Sequence, residues 1–152
     1  GGDGVSDCTE YLLQSGFSED LITKSGVAFS RNFGEKKMAD RFAKRLIIPI
    51  NEARNEEIIA FGGRDLSGEK KVAKYLNSPE NPVYEKSLVL FGLDKARKSI
   101  IKQEKVIIVE GYFDVISAHE NGLDFTVGTC GTALTDSHLR ILKRMTKQIY
   151  LA

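Results

Sequence analysis

The first half of the chain has short apolar runs separated by polar stretches. The elements predicted there are, in order, two short helices within residues 9–26, mostly loop over 27–44, a hairpin with strands at 46–50 and 57–61, and a short strand with its turn at 74–82. Ser18, which two acids follow, is a strong helix start. Pro49 cannot donate a ladder hydrogen bond, so its strand is predicted to lie at a sheet edge or to carry a bulge. These elements indicate an α+β amino-terminal subdomain.

The second half of the chain alternates apolar strands with helical periodicity. The predicted elements are a helix over residues 93–101, a strand at 106–109, a helix over 114–122, a strand at 125–127, a helix over 134–145 and a strand from 148 to 152. The strand from Val106 to Val109 is continuously apolar and β-branched, as is typical of a parallel strand that is covered on both faces. Alternation of this kind predicts a parallel sheet with right-handed crossovers. The predicted fold class is therefore α/β.

The strand at 106–109 ends on an acid that a glycine follows. In open α/β sheets ligands bind beyond the carboxyl ends of the strands, which is where Glu110 lies. Asp114 adds a second acid four residues later. Such a pair is a candidate site for metal or phosphate. The structural alternative, an acid that only caps the next helix, stays open on position alone.

A loop rich in glycine and threonine, residues 128–132, follows the strand at 125–127. Because the loops of a parallel sheet cluster at one edge, we expect this loop to lie near Glu110. Backbone N–H groups in such loops can hold an anion. The loop matches neither a P-loop nor a dinucleotide fingerprint, so by itself it is a weak signal.

Composition and charge limit the classes of protein to be considered. A chain of 152 residues with 41% hydrophobic residues can build one ordinary domain or two small subdomains. Lys plus Arg number 22 and Asp plus Glu 21, so the net charge of +1 gives no argument for nucleic-acid binding. Bases outnumber acids locally, over residues 36–74. Such an excess suits a polyanion but is also common on ordinary solvated surfaces.

Cysteine usage and hydropathy bear on location. Cys8 and Cys130 lie far apart and no Cys-x-x-Cys occurs, which favours reduced thiols and argues against a zinc module. The sequence has no apolar run of membrane-spanning length and no signal peptide. We therefore expect a cytoplasmic protein without a membrane partner.

Longer motifs make a family resemblance specific. The segment from Glu110 to Asp114, Glu-Gly-Tyr-Phe-Asp, resembles the Glu-Gly-Tyr-hydrophobic-Asp motif that opens the TOPRIM fold in bacterial replicative primases of the DnaG family. Further segments that resemble the family in order and spacing are 40–42, 45–50, 61–64, 74–80, 90–93 and 131–133. The resemblance implies a basic amino-terminal subdomain of the primase core over residues 1–90 and an incomplete TOPRIM subdomain over residues 91–152.

The resemblance also implies an activity. Members of the family are DNA-directed RNA polymerases that lay short RNA primers on single-stranded DNA by metal-dependent nucleotidyl transfer. The implied cofactor is Mg²⁺ or Mn²⁺, with zinc confined to a separate domain outside this chain. The implied partners are the single-stranded DNA template, ribonucleoside triphosphates, the RNA primer and, through another domain, the replicative helicase.

Site residues are carried over position by position. Glu110 resembles the family's catalytic, metal-binding glutamate, and Asp114 the second acid of the motif. Residues that match positions associated with nucleotide or template binding are Arg41, Arg45, Arg64, Lys74, Tyr75, Asn77 and Lys86. This set suits phosphoryl transfer, which needs a divalent metal and cations that neutralise developing charge.

The sequence departs from the family pattern at its end. TOPRIM proteins carry an Asp-x-Asp pair just after the strand on which this sequence reaches Ala152. Glu110 would then lack its metal partners, so we expect a fragment of a longer enzyme that is inactive by itself. An exposed last strand would favour dimerisation. Two other functions stay open, namely strand cleavage by a TOPRIM nuclease or topoisomerase, and a single-stranded nucleic-acid binding module.

Overall fold

The computed structural model describes residues 6–31, 38–69, 71–129 and 131–152. The chain forms two compact units, one of residues 1–49 with 60–84 and the other of residues 50–59 with 85–152. We call them the first and the second unit. The two units are defined by contacts in space, and residues 50–59 group with the second unit although they precede residues 60–84 of the first. The subdomain boundary expected between residues 90 and 91 therefore stays a prediction.

Two helices begin the first unit, α1 (Asp7–Gln14) and α2 (Glu19–Ser25), and both were predicted. The side chain of Ser18 accepts a hydrogen bond from the N–H of Leu21 at 3.3 Å, which makes Ser18 the N-cap of α2. Gly26 ends α2 in the left-handed conformation, with φ of 75°.

The prediction of mostly loop over residues 27–44 is partly wrong. Two short antiparallel strands, β1 (Ala28–Ser30) and β2 (Met38–Asp40), lie in this stretch, with Phe29 opposite Ala39. All three residues of β2 are buried, so tertiary packing stabilises a strand that is too short to show a period of two in the sequence. Lys36 and Lys37 of the basic stretch lie outside the described residues.

A buried carboxylate from β2 caps helix α1. Asp40 Oδ2 accepts a hydrogen bond from the N–H of Cys8 at 2.8 Å. Asp40 Oδ1 accepts from the N–H and the hydroxyl of Thr9, at 2.9 and 2.6 Å. These bonds satisfy N–H groups that have no partner within the helix, and they fix the chain immediately before Arg41.

A three-stranded sheet of β3 (Arg45–Asn51), β4 (Ile58–Asp65) and β5 (Tyr75–Asn77) has the order β3-β4-β5. Strands β4 and β5 are antiparallel. The two strands of the predicted hairpin are thus neighbours, and β3, which contains Pro49, is an outer strand as predicted.

The second unit alternates strands and helices. Its main elements are α3 (Leu93–Gln103), β6 (Lys105–Val109), α4 (Tyr112–Glu120), β7 (Thr126–Gly128), α5 (Asp136–Lys143) and β8 (Gln148–Leu151). The sheet order is β7-β6-β8, and both pairs are parallel. This topology confirms the predicted α/β class and the predicted parallel sheet.

The core of the second unit lies on the central strand β6. Val106 and Ile108 are 0% and 4% exposed, whereas Ile107 and Val109 are half-buried. The second face of β6 is therefore less completely covered than the continuous apolar run suggested. On the outer strand β8, Leu151 is 71% exposed. None of the helices in the described ranges has the length and hydropathy needed to cross a membrane.

Candidate functional site

Glu110 lies at the carboxyl end of β6, the central strand of the parallel sheet, and is exposed. A cleft of about 200 Å³ opens at this end of the three strands; its lining residues are Ile108, Val109, Glu110, Thr129, Thr132, Ala133, Leu134, Leu151 and Ala152. We call it the Glu110 cleft. It confirms that the loop after β7 lies beside Glu110, as expected for a parallel sheet.

Backbone hydrogen bonds fix the walls of the Glu110 cleft. The N–H of Thr129 donates to the carbonyl of Val109 at 3.1 Å, and the N–H of Ala152 donates to the carbonyl of Ile108 at 3.1 Å. The hydroxyl of Thr132 donates to the carbonyl of Thr129 at 2.8 Å. Two hydroxyl-bearing residues are thus held beside one carboxylate, while Cys130 of the same loop lies outside the described residues.

Asp114 occupies a different position from Glu110. It lies in the first turn of α4, is exposed, and is not among the residues that line the Glu110 cleft. A Cβ atom added to Gly111 would lie 2.6 Å from Asp114 Oδ2, so the carboxylate sits directly over the glycine. An acid in the first turn is favoured by the helix dipole. Glu110 lines the cleft, whereas the Asp114 carboxylate lies over Gly111, the residue that follows Glu110.

The residues of the Glu110 cleft do not make a complete metal site. Within the described ranges, no group of three or more His, Cys, Asp or Glu residues could hold a metal ion. The lining residues whose side chains carry oxygen are Glu110, Thr129 and Thr132, and the Thr132 hydroxyl already donates to the carbonyl of Thr129. Mg²⁺ needs octahedral oxygen coordination, which it obtains from one or two carboxylates together with phosphate oxygens and water. Glu110 can supply one such ligand.

A second set of predicted site residues lies on strands β4 and β5 of the first unit. Arg64 is opposite Tyr75 in the antiparallel register. The Arg64 guanidinium carbon and Lys74 Nζ each lie 6.0 Å from the centroid of the Tyr75 ring, and the ring is part of a residue that is 39% exposed. We call these three residues the Tyr75 cluster. Cations around an accessible aromatic ring suit a nucleic-acid strand, whose bases stack and whose phosphates carry negative charge.

Two further arginines of the predicted site contact backbone carbonyls beside the Tyr75 cluster. Arg41 Nε donates to the carbonyl of Asn77 at 3.1 Å, and burial lowers the pKa of the Arg41 guanidinium. Arg45 Nη1 donates to the carbonyls of Ala73 and Gly63 at 2.8 and 3.3 Å. Both arginines therefore brace the chain around β5, and binding of nucleotide or template by either one stays a prediction.

Lys86 belongs to the second unit, whereas the other residues predicted to bind nucleotide or template belong to the first. It begins a 3-10 turn, Lys86–Leu88, and is half-buried. Its carbonyl is bonded to His138, a buried residue of α5 that the sequence analysis did not identify. Thr135 and His138 form a capping box at the start of α5. The usual sequence signature of a capping box has Glu or Gln three residues after the cap, so this pair does not match the signature.

Comparison with known families places both halves of the chain. The model of the N-terminal domain of the DNA primase catalytic core matches residues 2–97, and the model of the Toprim domain matches residues 104–152. The chain is 44% identical over 140 residues to the DNA primase of Synechococcus elongatus, which covers 92% of this chain and 20% of that protein. The chain spans about a fifth of the length of the curated relatives it matches.

Solved structures give the same result. The RNA polymerase domain of Mycobacterium tuberculosis primase DnaG superposes with a TM-score of 0.86 at 35% identity, over 97% of this chain and 47% of that one. A DnaG primase catalytic domain bound to single-stranded DNA superposes with a TM-score of 0.82 at 28% identity, over 97% of this chain and 44% of that one. This chain belongs to the DnaG family of DNA primases, with the N-terminal domain of the catalytic core followed by a Toprim domain.

Proposed function

We propose that the chain is part of the catalytic core of a DNA primase that makes short RNA primers on single-stranded DNA from ribonucleoside triphosphates. The observation that carries the proposal is the succession of the two family matches, the primase-core domain over residues 2–97 and the Toprim domain over residues 104–152. A related catalytic domain has been solved bound to single-stranded DNA, which supports the proposed template.

Glu110 is proposed as one oxygen ligand of a divalent cation, Mg²⁺ or Mn²⁺, that the enzyme binds together with nucleotide phosphates. Its exposure at the carboxyl end of β6, beside Thr129 and Thr132, supports this role. Asp114 is proposed as the second acid of the motif, acting from the first turn of α4. Residues elsewhere in the longer protein would complete the metal site, so residues 1–152 alone are expected to make no primer.

The basic and aromatic residues are proposed to hold template or nucleotide. Lys74 and Arg64 would neutralise phosphates, and Tyr75 offers a ring on which a base can stack. The remaining members of the proposed set are Arg41, Arg45, Asn77 and Lys86. We also propose a cytoplasmic location and contact with the replicative helicase through another part of the protein. Two copies of the chain are proposed to pair through the exposed outer strand β8.

The test uses a chain extended beyond residue 152 through the rest of the Toprim domain, incubated with single-stranded DNA, ribonucleotides and Mg²⁺. Glu110→Gln is compared with Glu120→Gln, a matched control because Glu120 is exposed and does not line the Glu110 cleft. We expect short RNA from the extended chain and from the control, and none from Glu110→Gln.

Other outcomes would contradict the proposal in different ways. Shortened DNA without RNA would indicate a strand-cleaving enzyme. DNA binding without any product, unchanged by Glu110→Gln and steeply dependent on salt, would indicate a binding module. RNA synthesis by residues 1–152 alone would refute the expected inactivity of this part of the chain.

A further inference from the structure

His138 is buried and both of its ring nitrogens are bonded. Its exposed fraction is 0%. Nδ1 accepts a hydrogen bond from the N–H of Thr135 at 3.3 Å. Nε2 lies 3.1 Å from the carbonyl oxygen of Lys86. Because the first partner can only donate and the second can only accept, the ring is neutral and carries its proton on Nε2.

Thr135 doubles the connection to the same turn. Its hydroxyl accepts a hydrogen bond from the N–H of His138 at 3.1 Å and donates one to the carbonyl of Ser87 at 2.9 Å. Two consecutive carbonyls, those of Lys86 and Ser87, are therefore held by the cap of α5. The two side chains of a capping box normally satisfy backbone groups of their own helix, whereas these reach a distant turn as well.

The turn that they hold has little hydrogen bonding of its own. The N–H of Leu88 donates to the carbonyl of Glu85 at 3.0 Å, and the N–H of Val89 donates to the carbonyl of Lys86 at 3.4 Å. A single 3-10 turn has poor hydrogen-bond geometry and is a weak element in isolation. Leu88 is 46% exposed, so packing covers the turn incompletely. The direction of the chain at Lys86 therefore depends on α5.

We propose that His138, together with Thr135, is a positioning residue that holds the turn of Lys86 in the geometry with which the Lys86 ammonium binds a phosphate of the single-stranded template. The inference rests on the proposed function, because it assumes that Lys86 contacts template. His138 itself touches no nucleic acid, since it is fully buried. Its contribution is to fix the backbone in advance, so that less conformational freedom is lost on binding.

The experiment uses the full-length protein that carries this sequence and a labelled single-stranded oligonucleotide. His138→Leu removes both ring hydrogen bonds and keeps an apolar side chain in the site. His138→Gln supplies an amide oxygen and an amide nitrogen that can replace the acceptor and the donor. Each variant is made alone and combined with Lys86→Met, and affinity is measured by fluorescence anisotropy. Amide hydrogen exchange of Leu88 and Val89 reports on the turn itself.

We expect His138→Leu to weaken oligonucleotide binding at least about threefold, which is within the range of coupling between residues that share a network. The same substitution should change nothing further when Lys86 is already Met. His138→Gln should restore most of the affinity. The amides of Leu88 and Val89 should exchange faster in His138→Leu than in the unmodified protein, and His138→Gln should not show this increase. Should His138→Leu fail to fold, Thr135→Val replaces it in the same comparison; this variant removes the bond to Ser87 together with the cap bond from the N–H of His138.

An equal loss of affinity with and without Lys86→Met would overturn the inference, because it would show a general effect on the fold. Unchanged exchange of Leu88 and Val89 in His138→Leu would also overturn it. If Lys86→Met alone leaves affinity unchanged, Lys86 does not bind template and the inference falls with it. Primer synthesis by the unmodified protein is measured in parallel, so that failure of the primase proposal is recognised separately.

Discussion

Alanine at position 128 should disturb the packing of β7 against α4. A Cβ atom on Gly128 would lie 2.9 Å from Val115 Cγ2 and 3.6 Å from the carbonyl oxygen of Gly111. Val115 is 1% exposed and has little room to move. Two backbone hydrogen bonds with Phe91, of 2.9 and 3.0 Å, also fix the position of Gly128. The contact can therefore be relieved only by a shift of the strand or the helix.

The expected cost follows from the size of this overlap. Forcing an extra carbon into a well-packed core costs about 1–3 kcal/mol, and we expect about 2 kcal/mol for Gly128→Ala. In a Val115→Ala background the colliding methyl group is gone, so the same substitution should cost under about 1 kcal/mol. The coupling between the two sites should therefore exceed about 1 kcal/mol.

The assay is equilibrium unfolding in urea. The slope of the free energy of unfolding against urea concentration must be the same for all variants, so that their urea midpoints can be compared. Gly122→Ala serves as the control, because a Cβ there meets no atom within 4 Å but must adopt a φ of 82°. Its cost should be the same whether residue 115 is Val or Ala. A Gly128→Ala penalty that is unaffected by Val115→Ala would refute the steric explanation.

Three further predictions concern other parts of the chain. Asp40→Asn removes a charged, buried cap of α1 and should destabilise the chain by about 1–3 kcal/mol in urea unfolding, and a loss below about 0.5 kcal/mol would contradict the capping role. Burial lowers the pKa of His138, so its stabilising effect should be complete above pH 6.5 and decline as pH falls through the lower pKa of the folded state. Thermal unfolding from about pH 8 to about pH 5 should show a flatter profile for His138→Gln, and identical profiles would refute this. Lys74→Met should reduce the slope of log affinity against log salt for single-stranded DNA by about 0.7, whereas an unchanged slope would exclude a phosphate contact.

The place of Glu110 was predictable because two local signals agree on it. The continuous apolar strand specifies a buried parallel strand, and the glycine after Glu110 specifies the turn into α4. Topology then requires that the loop after β7 arrive at the same edge of the sheet. The motif did not show that the Asp114 carboxylate lies over Gly111, since this depends on the start of the helix at Tyr112.

The residues that escaped prediction act through contacts distant in sequence. Asp40 caps a helix through bonds to Thr9 and Cys8, which lie 31 and 32 residues earlier, and no local pattern marks such bonds. His138 reaches a carbonyl 52 residues away. All three residues of strand β2 are buried, so its sequence does not show the alternation of apolar and polar residues that would predict a strand. In each case tertiary contacts, and not local propensity, decide the structure.

The position of β6 between β7 and β8 has a consequence for the order in which the second unit can fold during synthesis. Strand β7 leaves the ribosome soon after β6, and the two can pair through α4 as one βαβ unit. The opposite side of β6 stays unpaired until β8, which follows β7 along the chain, has been translated. In that interval the N–H and C=O groups of Lys105 to Ile108 form an open edge beside an apolar core. Wrong strand pairing at this edge of β6 is therefore possible until Gln148 to Leu151 have emerged.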